Sequence, residues 1–306
     1  PRRDVVLPRC YRNTPWALST AHALGLGVYS PDGLVQHFDD PALWTDIGYA
    51  VVNGELDYDH DVTLERAPDA TPAFFTEMLR SEDAVTSHQF ANEEEQAKWV
   101  ADSIARDINE GELDPDDVLV IYPEARTAQS RSGILAKRLR FLGLPSHLVG
   151  VGSSREEVFV PGSVAMAHIH RSKGNEAPMV YVMNAEEGIS DYRRVSARNV
   201  LFTAITRSRA WVRICGVGAR MARVISEVSE VRNRGFRLSF HIPTREQLER
   251  MKTLSRDLSP KNESKLKRST EAIKELIELV RSGEIYMEQI PAELRPLIEV
   301  VLESGE

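Results

Sequence analysis

The chain has 306 residues, 42% of them apolar and 27% charged, with 38 Lys and Arg against 46 Asp and Glu for a net charge of −8. This is ordinary globular composition, which excludes a wholly disordered chain, a collagen or a mucin-like stalk, and no apolar run approaches the roughly 20 residues of a membrane span. The acidic balance argues against a simple nucleic-acid coat protein but leaves room for a local basic groove, because whole-chain charge says nothing about its distribution. Cys10 and Cys215 are too few for a disulfide framework or a zinc site. Two reduced thiols in a cytoplasmic protein are expected. The length suggests about two domains. The chain opens at Pro1 with neither methionine nor signal peptide, and reads as a fragment or processed product of a longer protein.

A helix is expected from Trp16 to Leu26, capped by Asn13 or Thr14, with Pro15 in its first turn. Residues 31–90 are mixed. Strands are predicted at 49–52 and 62–64 with Asn53-Gly54 as the turn between them, and another at Val85–Phe90. Asn92 with Glu95 forms a capping-box start. Ala97, Val100, Ala101, Ile104 and Ile108 then keep helical spacing up to Gly111. Val118–Tyr122 is a continuous apolar run, the mark of a strand covered on both faces. Helices follow at 129–141, 196–208 and 219–231, and strands at 164–169, 179–183 and 211–215. This alternation predicts a doubly wound α/β core, a parallel sheet with helices on both faces. Phe236–Ile242 is strand-like, Thr244 and Gln247 make a second capping box, and two amphipathic helices end the chain. The expected division is a core domain over 1–235, interrupted at about 31–90, and a helical extension over 236–306.

Three stretches carry candidate chemistry. The first is Tyr11-Arg12-Asn13-Thr14 at a helix start. The second is the run from Ala167 to Glu176, which contains His168, His170, Arg171, Ser172, Lys173, Gly174 and Asn175 and leads into the strand that starts near Met179. Read as a polar turn at the C-terminal edge of a parallel sheet, it suits a phosphate oxygen at His170, Ser172 and Lys173, and a ribose-type hydroxyl at Glu176. The third is the stretch Arg198–Arg209 on the 196–208 helix, with Leu201, Ala204 and Ile205 inward and Arg207 near the helix C-terminus. Metal chemistry is not expected. Asp57, Asp59 and Asp61 lack the glycine and distal glutamate of a calcium loop, and His168 with His170 make only two ligands.

The order of these three stretches resembles the second RecA-like domain of superfamily 1 helicases of the UvrD/Rep kind, where they look like motifs IV, V and VI. Tyr122 to Arg131 is similar to motif IVa, and the resemblance covers about 7–216. It implies that Arg12 and Arg207 reach the γ-phosphate of ATP held on a first RecA-like domain. It further implies that Tyr11, Gly174 and Glu176 belong to the nucleotide site, with Glu176 on the ribose. His170, Ser172, Lys173 and Arg131 are expected to touch single-stranded DNA, with RNA not excluded. Asn175 stands where motif V usually has an apolar residue, and Pro123 where motif IVa usually has arginine. Only Gly152–Ser163 separates the motif V strand from the preceding segment, so the large 2B insertion of UvrD-like helicases is absent. No Gly-x-x-x-x-Gly-Lys-Ser/Thr occurs in the 306 residues. The expected activity is therefore that of the C-terminal motor half of an ATP-dependent DNA helicase or translocase, with ATP and Mg²⁺ held mainly by an N-terminal RecA-like domain. The alternative is a degenerate, non-catalytic helicase-like module that binds nucleic acid or a partner protein.

Overall fold

The computed structural model describes residues 10, 12–111, 113–151, 158–189, 194–257, 260–291 and 294–303. In chain order these form α1 (Pro15–Leu26), α2 (Leu43–Asp46), β1 (Tyr49–Gly54), β2 (Asp61–Arg66), α3 (Phe74–Met78), α4 (Ser81–Ala84), β3 (Val85–Phe90), α5 (Glu93–Glu110), β4 (Val118–Tyr122), α6 (Ala128–Phe141) and β5 (Ser146–Leu148). Next come β6 (Val164–His168), α7 (Ile169–Ser172), β7 (Ala177–Val182), α8 (Arg194–Ile205), β8 (Ser208–Val217), α9 (Gly218–Asn233), β9 (Leu238–His241) and α10 (Arg245–Asp257), followed by α11 (Pro260–Ser282) and α12 (Arg295–Glu303).

The core is a six-stranded sheet in the order β3-β8-β7-β4-β6-β5, and every pairing in it is parallel. The central strand β4 is buried at every position. Its alternate residues serve opposite faces, as a strand's two-residue period requires. Leu119 and Ile121 pack with α1, α8 and α9 through Ala21, Leu24, Leu201 and Val224. Val118, Val120 and Tyr122 pack with α5 and α6 through Val100, Ile104, Leu135 and Leu139. Helices thus cover both faces, and the architecture is α/β and RecA-like, with a helical C-terminal segment. Among the described residues no helix is long and apolar enough to cross a membrane.

A second sheet, β1-β2-β9, is antiparallel. It closes over Trp44, Tyr49, Leu64, Leu238 and residues of α1 and α9. Because β9 pairs with β2, the first compact unit runs to Lys252, not to 235 as the change in sequence texture suggested. The second unit, Thr253–Glu306, contains α11 and α12. Two further expectations need correction. Val85–Phe90, placed in the mixed insertion, is an edge strand of the main sheet beside β8. Asn53 and Gly54 end β1 instead of forming the turn, and residues 55–60 make the connection. Gly54 has φ +78°, and a Cβ there would meet the Asp61 carbonyl oxygen at 1.9 Å, so close pairing with β2 selects the glycine. Asp57 and Asp59 lie in that hairpin's loop and Asp61 starts β2, and His241 of β9 pairs with Asp59 and Asp61 at 3.2 and 3.0 Å.

The capping expectations are met in detail. Thr14 Oγ1 accepts from Ala17 N at 3.2 Å, and Asn92 Oδ1 accepts from Glu95 N at 2.9 Å. Thr244 and Gln247 exchange both bonds of a capping box.

His22, on the buried length of α1, faces Tyr49 Oη at 2.9 Å. Burial, and then the charge of Arg66, push its pKa down from 6.5 to about 3. The folded state therefore holds His22 neutral while the unfolded chain takes up a proton below pH 6.5, so stability falls as pH drops from 6.5 toward 3. At about 1.4 kcal/mol per unit, the contribution lost between pH 6.5 and 5 is about 2 kcal/mol. Urea unfolding of the native chain and of His22→Gln at pH 7 and pH 5 measures it. The variant is expected to lose about 2 kcal/mol less between the two pH values.

Candidate nucleotide-facing site

Two neighbouring parallel strands begin side by side at the N-terminal edge of the sheet, with Ala177 of β7 opposite Ser208 of β8. The residues just before them are Glu176 and Arg207. Ala177 N donates to the Arg207 carbonyl at 3.0 Å, which fixes the two loops together. Asn13 adds the third element. It is 2% exposed, and its Nδ2 donates to Thr206 O at 3.0 Å and Ser208 O at 2.7 Å, on either side of Arg207. The start of α1 is thereby pinned to the α8–β8 turn, and Arg12 is carried with it. Asn13→Ala would leave both carbonyls buried without that donor, at a cost of about 1–3 kcal/mol, readable as a lower urea midpoint.

Glu176 is the common partner. Arg12 Nε lies 3.5 Å from one of its carboxylate oxygens and Arg209 Nε 3.8 Å from the other. Arg207 donates from Nε to Thr203 O at 3.1 Å. Its pKa is pushed down by burial and then by the charge of Arg12, while Glu176 opposes the shift. Arg207 keeps its proton in any case, since a guanidinium starts far above neutral pH. Two guanidinium groups thus flank one carboxylate, and Arg207 lies near enough to feel the charges of Arg12 and Glu176, which leaves an excess of positive charge at a half-exposed edge. Such a cluster suits a polyanion. Arginine forks match phosphate oxygens, and the exposed Arg–Glu contacts are weak enough to exchange for a ligand.

The residues that the sequence gathered into one turn are spread across the sheet. β6 and β7 are both parallel to β4, which lies between them. Parallel strands need a crossover, so 169–176 runs from the C-terminal end of β6 to the N-terminal edge where β7 begins. Glu176 therefore sits at the edge opposite to the one expected. His170 and Lys173 are exposed, and Gly174 turns the chain at φ +88°. Ser172 is a correction: it is fully buried, and its hydroxyl donates to Ile169 O at 3.0 Å, so it closes the short α7 and offers nothing to a strand backbone. Arg131 is another. Its Nε pairs with Glu93 at 2.8 Å and an Nη with Glu187 at 3.4 Å, which neutralise it. Tyr11 lies outside the described residues.

Sequence reasoning missed several groups. Asn13, read as a cap, is the latch described above. Arg209 shares Glu176. At the C-terminal edge, Tyr122 and His168 face each other in register, and Tyr122 Oη and His168 Nδ1 are buried without a hydrogen-bond partner. Burial, then the charges of His170 and Arg171, lower the His168 pKa. Among the described residues, no group of three or more His, Cys, Asp or Glu could hold a metal ion.

A search of the curated proteins finds no match. Among solved structures the chain is similar to the C-terminal domain of a possible DNA helicase from Lactobacillus plantarum WCFS1, at 24% identity over 49% of this chain and 88% of that one, with a TM-score of 0.36. Residues 163–215 match the family model of the UvrD-like helicase C-terminal domain. That span contains β6, the crossover, β7, α8 and most of β8, and with them Glu176, Arg207 and Arg209.

Proposed function

We propose that this chain is the arginine-bearing half of an ATP-dependent motor that moves along single-stranded DNA. The observation that carries the reading is the pairing of Arg12 and Arg209 with Glu176 at an open edge, with Arg207 close enough for the charges of Arg12 and Glu176 to act on it, from segments far apart in sequence. ATP supplies the phosphoryl group and its anhydride leaving group. Arg12 and Arg207 donate N–H bonds to the γ-phosphate oxygens and offset the charge that builds on them during transfer. Glu176 orients the two guanidinium groups and accepts from a ribose hydroxyl. These residues fit a triphosphate but not its Mg²⁺, because no cluster of anionic ligands accompanies them among the described residues. The P-loop that cradles the phosphates, and the Mg²⁺ ligands, come from a partner RecA-like domain, in the same polypeptide or another.

The crossover couples this site to the strand. It holds His170 next to the end of β6 and Lys173 part-way along, both exposed, and its last residue is Glu176. A change in how tightly Glu176 and the arginines are held is passed along this short segment to the groups that face the nucleic acid. Binding from Lys173 and its neighbours is expected to weaken as salt rises.

The test compares two proteins. Residues 1–306 alone are expected to show no Mg²⁺-dependent ATP turnover. The same chain joined to a P-loop-bearing RecA-like domain of a UvrD-type protein is expected to hydrolyse ATP, faster with single-stranded DNA. Turnover by the chain alone would overturn the division of labour. A joined protein that binds DNA but never turns over ATP would favour the degenerate, non-catalytic module.

A further inference from the structure

Two guanidinium groups that act on one phosphoryl group repel each other, and here the charge of Arg12 helps to push the Arg207 pKa down. Such a pair keeps a fixed separation only where other groups hold it. Glu176 is one holder, through its carboxylate. Asn13 is the other, and it reaches both arginines.

The Asn13 carboxamide has two N–H donors and an oxygen with two acceptor positions, and all of them are used. Nδ2 donates to Thr206 O at 3.0 Å and to Ser208 O at 2.7 Å. Carbonyl oxygens only accept, so these partners determine which way the amide points, and Oδ1 faces the opposite side. There it accepts from Arg12 Nε at 3.4 Å and from the Cys10 thiol at 3.7 Å. One buried side chain thus grips Arg12 by its guanidinium and Arg207 by the peptide groups on either side of it. Helix capping does not account for this arrangement, because Thr14 already caps α1 through Ala17 N.

The atoms engaged set the aim of the arginines. Arg12 is held at Nε, by Asn13 and by Glu176 at 3.5 Å. Arg207 is also held at Nε, by Thr203 O at 3.1 Å. Among the described residues, neither arginine makes a hydrogen bond from a terminal Nη atom. Each guanidinium is therefore tethered at one corner, and its terminal donors are left for phosphate oxygens.

We infer that Asn13 is a positioning residue for phosphoryl transfer, which sets the separation and aim of the Arg12 and Arg207 guanidinium groups without touching ATP. This rests on the motor reading above. A displacement of about 1 Å at a group that meets developing charge costs on the order of 10²-fold in rate. Ground-state binding of the triphosphate comes mainly from the P-loop, so the loss falls on kcat.

The experiment has two parts. The first uses the chain alone, labelled with a nitrogen isotope, and follows arginine Nε–H signals by NMR, with Arg12→Lys identifying the Arg12 signal. Exchange of that proton with water is expected to be slower than in free arginine, and Asn13→Ala is expected to quicken it severalfold. Exchange at the free-arginine rate in the native chain would overturn the inference, whatever the ATPase result.

The second part uses the chain joined to a P-loop-bearing domain, with every variant checked for native circular dichroism. Asn13→Ala, and Asn13→Asp, which keeps the volume but loses both donors, are each expected to lower kcat about 10²-fold with KM for ATP within a few-fold. Thr244→Ala, a destabilising change at the cap of α10, is expected to leave kcat unchanged. In a background of Arg12→Ala with Arg207→Ala, single-turnover assays are expected to show no further loss from Asn13→Ala, whereas a loss caused by general destabilisation would persist. Native kcat in both Asn13 variants, in an enzyme that Arg207→Ala disables, would overturn this inference and leave the motor reading standing. Near-normal turnover in Arg207→Ala would remove both.

Discussion

Arg207→Ala, made in the chain joined to a P-loop-bearing domain, is expected to lower ATPase kcat by about 10³-fold or more while leaving KM for ATP within a few-fold. An arginine that acts on charge developing in transfer stabilises the transition state more than the bound triphosphate, so the loss falls on kcat. Arg12→Ala is expected to do the same. The double variant should be little worse than either single, because the two guanidinium groups act on one phosphoryl group as a unit. Arg207→Lys should recover little, since an ammonium lacks the fork and its fixed plane. Steady-state ATPase assays with saturating single-stranded DNA measure all four. Near-normal turnover in Arg207→Ala would remove the arginine from the reaction. Glu176→Gln separates positioning from charge: if Glu176 orients the arginines and holds the ribose, the loss is divided between KM and kcat.

The second large effect lies beneath the site. Arg198, in α8 just before the turn that carries Arg207, makes a fork to Glu227 of α9, with both Nη–Oε distances at 2.8 Å, and one Nη also donates to Leu24 O of α1 at 2.6 Å. The side chains are 4% and 1% exposed. Removing one partner strands the other charge in the core, so Arg198→Ala or Glu227→Ala is expected to cost about 3–5 kcal/mol. The double replacement Arg198→Met with Glu227→Met should restore most of that, because no lone charge is left and the volume is kept. Urea midpoints of the three variants, combined as a double-mutant cycle, give the coupling. Near-neutral single variants would mean that water reaches the pair. This pair ties α1, α8 and α9 together, and Arg12 and Arg207 lie just before the first of these and just after the second. Geometry at the arginine cluster therefore depends on an ion pair that never meets the ligand.

Much of the architecture was legible from pattern alone. The apolar run Val118–Tyr122 demanded cover on both faces and received it from two sets of helices. Thr14, Asn92 and Thr244 announced helix starts through chemistry confined to a few neighbouring residues. The site was half legible. Arg12, Glu176 and Arg207 could be singled out by motif order, but nothing local to any of them says which edge of the sheet it occupies. Asn13 and Arg131 show the limit in opposite directions. One looked like a cap and is a latch across the fold, and the other looked like a free cation and is held by two carboxylates.

By itself the sequence determined the alternation of strands and helices, the capped ends, the acidic balance and the lack of a P-loop within these residues, because each depends on composition or on neighbours a few positions apart. Tertiary structure alone decided that β9 completes the second sheet, that 169–176 crosses from one edge of the main sheet to the other, that Ser172 faces inward, and that Arg12 and Arg209 meet at one glutamate beside Arg207. Those outcomes depend on pairings between segments tens to hundreds of residues apart. Such pairings are chosen by how whole surfaces pack and by which buried polar groups find partners, and no short window of sequence carries that information.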